Sequence, residues 1–212
     1  MNMEEKDFLV SAFPMFSLAE ASKLSTDVPL LTVIARGSRS AKGHAMLVME
    51  YLKKGNNNIT AVNVVTDLVA TTKEGKQPTR EQIDSKDETL GILIRNVESK
   101  AGEGDTPKDH VAWKILPSKE QESAEIEQIY GTEAPDAIEK EILAKVKETH
   151  TYNAKNGYSY KPVNDRINCI VYVYQLLKLA GIKLSEKYKN GTAWDLVQGV
   201  KEYKQNTPKP KL

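Results

Sequence analysis

The chain has a single cysteine among its 212 residues, which excludes a disulfide within it and suits a reducing compartment. It also excludes the paired cysteines of structural zinc sites. Histidine is nearly as scarce, with three in all. Neither the histidines nor the carboxylates fall at metal-ligand spacing, so no metal and no cofactor is expected. An excess of one charge is lacking too. Thirty Lys and Arg stand against 29 Asp and Glu for a net +1, which gives no global attraction to nucleic acid or to a membrane surface. No apolar run approaches the roughly 20 residues of a membrane span. The opening "MNMEEKDFLVSAFPMF" sets acids before a short apolar stretch broken by Pro14. A signal peptide has the opposite order, with positive charge first. The expected location is the cytoplasm, or outside the cell by a route without a cleaved signal. "GSRSAKGH" lacks the spacing of a phosphate loop, and "GEGD" is a turn without the strand and helix of a dinucleotide fingerprint.

What remains is a composition of 40% hydrophobic and 28% charged residues, ordinary for a globular protein. The length fits one domain over 1–205, followed by a flexible tail at 206–212. A first amphipathic helix is expected over 4–24. "VPLLTVIA" (28–35), "HAMLVMEYL" (44–52), "ITAVNVVTDLV" (59–69), "GILIRNVES" (91–99) and "HVAWKIL" (110–116) read as strands. "KKGNNN" between the second and third is a hairpin turn. The stretch 70–90 is polar, and reads as a surface excursion holding at most one short helix. After Pro117, Ser118 and Gln121 have capping-box spacing, predicting a helix over 119–130, with a second over 136–149. A Tyr- and Asn-rich loop precedes Cys169. Its helix should stop at Gly181, and a last helix should cover 193–204. Helix, sequential strands and then helices make an α+β domain with an antiparallel sheet.

Cys169 opens the apolar stretch "CIVYVYQLLKLAGIKL", with Asp165 as the expected N-cap. A helix N-terminus stabilises a thiolate through its unpaired N–H groups and dipole. A lone cysteine is also commonly a small buried hydrophobe, and position alone does not decide between the two. His44 and His110 each open an expected strand, where an imidazole can face a helix-start thiol and take its proton. His150 falls in a polar loop. Arg36, Arg39 and Lys42 flank His44 and are expected at a cleft rim. Tyr152, Tyr158 and Tyr160 either wall a substrate cleft or pack on their own domain. Trp113 and Trp194 read as packing residues.

"GHAMLVMEYL" followed much later by "NCIVYVYQLLKLAGIKL" resembles the circularly permuted papain-like group. That group includes permuted NlpC-type cysteine peptidases and relatives of lecithin:retinol acyltransferase. "HVAWKILPSKEQ" is similar to segments between the two motifs in related effector proteins secreted by intracellular bacteria. The resemblance covers about 28–68 and 110–184. It implies a permuted papain-like fold with Cys169 as nucleophile and His44 as general base, His110 competing for that place. The residue orienting the imidazole would come from the next strand. With the turn near Gly55–Asn58, Asp67 is the nearest carboxylate there, Asn63 lies further along, and Glu50 is too far along the histidine's own strand. The Cys169 N–H, with the Asn168 amide, would form an oxyanion hole. The implied activity is hydrolysis of a peptide or isopeptide-like amide through a thioester, on a peptide or protein substrate. The alternatives are acyl transfer by the same thiol, or an interaction module that keeps the fold without the chemistry.

Overall fold

A computed structural model of the chain describes residues 24–37, 39–84, 90–100, 124–147, 158 and 167–207. In order these form β1 (Leu30–Arg36), β2 (His44–Lys54), β3 (Ile59–Thr71), a short α1 (Arg80–Asp84) and β4 (Gly91–Lys100). Then come β5 (Glu125–Tyr130), α2 (Pro135–Lys147), α3 (Cys169–Leu179), a one-turn 3-10 helix (Glu186–Asn190) and α4 (Ala193–Asn206). The described residues are thus α+β, with a five-stranded antiparallel sheet in the order β4–β3–β2–β1–β5. None of their helices is long and apolar enough to cross a membrane.

The central strands are apolar runs rather than alternations because both of their faces are covered. Leu31, Val33, Ala35, Ala45, Leu47 and Met49 form one cluster with residues of α3 and α4. On the opposite face Leu30, Ile34, Met46, Val48 and Val65 are equally buried. α3 packs across β2 and β3, and α4 across β1 and β5. The β2–β3 hairpin closes where "KKGNNN" predicts, with Lys54 paired to Ile59 and the Gly55 N–H donating to the Asn58 carbonyl at 2.8 Å.

Asn168 caps α3. Its backbone is extended, and its Oδ1 accepts from the N–H groups of Ile170 and Val171, both at 3.0 Å. This replaces the expected cap at Asp165, which lies outside the described residues. A capping oxygen has to stand just before the first helical residue to reach the second and third amides. The other end is as expected. Gly181 at φ +86° lets its own N–H reach the Lys178 carbonyl and that of Ile182 reach Leu177, a Schellman closure.

The helix expected over 119–130 is overturned where it can be seen: residues 125–130 are β5, paired to β1 from Glu125↔Ala35 to Tyr130↔Leu30. Glu and Gln favour helix in isolation, but here the open edge of β1 offers a row of backbone partners. The charges that mislead the reading sit well on an edge strand, where Glu125 pairs with Arg39 and Glu127 with Lys204. The expected 4–24 helix, the 110–116 strand with His110 and Trp113, the Ser118 capping box, His150, Tyr152 and Tyr160 lie outside the described residues.

Candidate active site

His44 is the first residue of β2, and the loop before it is clamped by α4. The Ala193 N–H at the start of α4 donates to the Lys42 carbonyl at 2.8 Å. Thr192 and Asp195 form a reciprocal capping box at that same helix end. Gly43 has φ +71°, and a Cβ there would stand 2.4 Å from Cζ3 of Trp194. Only glycine therefore meets both the backbone angle and the ring. The Arg39 guanidinium lies 5.4 Å from the Trp194 ring centre, and Lys42 donates to the Asn190 carbonyl at 3.3 Å. Of the three cations expected at a cleft rim, Arg39 and Lys42 brace this loop instead, and Arg36 alone borders the cavity described below.

Asp67 comes from β3. Antiparallel register sets it opposite Met46, diagonal to His44 on the same sheet face. Its carboxylate is 1% exposed and its Oδ2 lies 2.7 Å from His44 Nε2. Asn63 is opposite Glu50, a further four residues along β3. The other group acting on the His44 ring is Cys169, and the charge of each shifts the pKa of the other. The structure thus brings Cys169, His44 and Asp67 together from α3, β2 and β3.

The electrostatics of the pair follow from these contacts. Burial opposes charge on His44, but the Cys169 charge and the hydrogen bonds to Asp67 and Cys169 outweigh it, and the imidazole pKa stands above its usual value. Burial likewise opposes a thiolate, but the His44 charge, its hydrogen bond and the Ala45 N–H outweigh that, and the thiol pKa falls below its usual value. Both directions favour a thiolate–imidazolium ion pair.

A buried contact one turn beyond the cysteine ties α3 to β3. The Tyr172 hydroxyl and Thr66 Oγ1 are 2.8 Å apart. Burial pushes the Tyr172 hydroxyl pKa up, so it stays a neutral hydrogen-bonding group. Neither residue stands out in the sequence, because the contact joins positions more than a hundred residues apart.

Cys169 is 5% exposed, whereas the His44 side chain is 21% exposed. His44 borders a cavity of about 370 Å³ whose wall includes Arg36, Val69, Lys76, Ile83, Leu93 and Tyr158. The stretch expected as solvated decoration is therefore part of this wall. It is ordered by its own bonds: Thr72 N–H to the Lys76 carbonyl at 2.9 Å, and a reciprocal Thr79–Gln82 cap on α1. Its few apolar side chains come singly, which hides a lining role from any periodicity. Tyr158, left open between wall and packing, borders the cavity, and its N–H donates to the Leu90 carbonyl at 3.0 Å.

Among the described residues no three His, Cys, Asp or Glu side chains converge as a metal-ligand group. Comparison of the chain with protein-family models, with curated proteins and with solved structures finds no match.

Proposed function

We propose that the chain is a cysteine-dependent hydrolase of the permuted papain-like kind, cleaving an amide bond of a peptide or protein. The observation that carries this reading is His44 bound at 2.7 Å to the buried Asp67 carboxylate and coupled to Cys169, with the two pKa shifts in the directions an ion pair needs. The order of parts supports the same reading: a histidine strand, a hairpin returning the carboxylate, and later a cysteine at the start of a buried helix.

In the proposed reaction the Cys169 thiolate attacks the substrate carbonyl carbon, and the oxygen becomes an oxyanion. The Cys169 N–H at the α3 N-terminus stabilises that charge. The His44 imidazolium gives its proton to the amide nitrogen, the C–N bond breaks, and a thioester remains. Neutral His44 then takes a proton from water as the water oxygen attacks the thioester. The acid leaves and the ion pair is restored. Asp67 keeps the ring oriented and its cationic form favoured throughout.

The test is the rate of Cys169 alkylation by a small electrophile from pH 4 to 9, in wild type and His44→Ala. An ordinary thiol, with a pKa near 8.5, reacts slowly below about pH 7. Wild type should label rapidly well below that and lose the advantage in His44→Ala. Slow labelling in both would sink the hydrolase and leave an interaction module on the same fold.

A further inference from the structure

We infer that the cavity beside His44 is the leaving-group subsite, and that it takes an apolar side chain on the amine released from the substrate. The inference rests on the Cys169–His44 reading above and adds where the departing half of the substrate goes. His44 borders the cavity and Cys169 does not. In amide cleavage the acyl half bonds to sulfur, while the leaving nitrogen must come to the imidazolium that protonates it. A pocket reached from the imidazole rather than the sulfur is therefore on the amine side.

The walls define the chemistry. Val69, Pro78, Ile83, Leu93 and Tyr158 give it an apolar lining. Arg36 and Lys76 add cations, and among the described lining residues there is no carboxylate. A cationic side chain on the amine therefore meets repulsion with no partner, whereas an aliphatic or aromatic one is desolvated. The volume, about 370 Å³, lies at the lower end for ligand pockets. That suits a side chain with its backbone better than an extended lipid chain.

The subsite can be read without knowing the natural substrate, by running the second half-reaction with an amine in place of water. A p-nitrophenyl ester acylates Cys169 and releases p-nitrophenolate. An added amine then attacks the thioester, its N–H proton passes to His44, and an amide leaves as the thiolate returns. Glycinamide, leucinamide, phenylalaninamide and lysinamide present the same kind of α-amino nucleophile, so differences in amide-to-acid ratio report the side chain. Leucinamide and phenylalaninamide should exceed glycinamide and lysinamide by about tenfold or more, the size of selection an apolar pocket gives. Val69→Phe, which fills the space, should bring the four ratios together, and Ile83→Asp, which supplies a carboxylate, should lower those of leucinamide and phenylalaninamide and raise that of lysinamide. The ratio is read on acyl-enzyme already formed, so a variant that merely forms less of it does not imitate the effect. Equal ratios for the four amines on wild type, or a preference for lysinamide, overturn the subsite while leaving the hydrolase intact. A wild type that forms no acyl-enzyme overturns the hydrolase, and the subsite with it.

Discussion

The hydroxyls of Thr66 and Tyr172 lie 2.8 Å apart in the buried seam between β3 and α3. One neighbours Asp67 in sequence, and the other is one helical turn beyond Cys169. The contact therefore ties the cysteine helix to the strand bearing the carboxylate. Tyr172→Phe keeps the ring and deletes the bond. Stability measured by urea unfolding should fall by about 1 kcal/mol, and Cys169 alkylation at pH 6 should slow. Destabilisation without slowing, or neither, would remove Tyr172 from the positioning of α3.

Asp67→Asn keeps the shape of the side chain and removes its charge. Asp67 raises the His44 pKa through its hydrogen bond and its charge, so the substitution should lower that pKa. The imidazolium would then be lost at a lower pH than in wild type. An NMR titration of the His44 ring C–H signals reads this directly. A midpoint that stays put or rises contradicts the assigned role.

Gly43→Ala forces an L side chain into a left-handed backbone and against the Trp194 ring. The backbone term alone is roughly 1–2 kcal/mol, and the collision adds to it. Relief comes by shifting the ring or the loop, and a shift of the loop moves His44. Thermal unfolding should show lower stability, and alkylation of the folded variant below pH 7 should approach that of an ordinary thiol. A variant as stable and as reactive as wild type would show that Trp194 yields without disturbing the histidine.

Asn168 separates helix capping from electrostatics. Asn168→Ala removes the cap of α3 and should cost about 1 kcal/mol in denaturant unfolding. Asn168→Asp preserves capping but adds a negative charge next to Cys169, which disfavours a thiolate. Its stability should stay near wild type while the acid limb of the alkylation profile moves to higher pH. An unmoved limb would mean that the α3 amides it accepts from neutralise this charge before it reaches the sulfur.

β1 to β4 are legible because β-branched apolar runs bounded by turn residues have few other uses, and both-face burial makes the runs continuous. Asp67 could be found by counting back from one turn, since antiparallel register converts hairpin position into cross-strand neighbours. β5 could not, because its Glu and Gln residues carry a helical preference that only an available sheet edge reverses. The cap of α3 falls at Asn168 and not at Asp165 for a related reason: Asn and Asp cap almost equally well, and the choice depends on which residue first turns helical. Trp194 read as packing and does pack, but its partner is the glycine that presents His44. The cavity drew on several separate segments, and no local pattern announces a wall assembled that way.

More than a hundred residues of chain lie between His44 and Cys169, and the shifted thiol pKa depends on their meeting. On a ribosome the histidine hairpin emerges first, and the sulfur follows only after the whole sheet has been made. Until α3 docks, the thiol has the reactivity of free cysteine, well protonated at neutral pH. On the proposed reading the thiol is thus activated only by the completion of folding, and its labelling rate is a built-in clock for that last step.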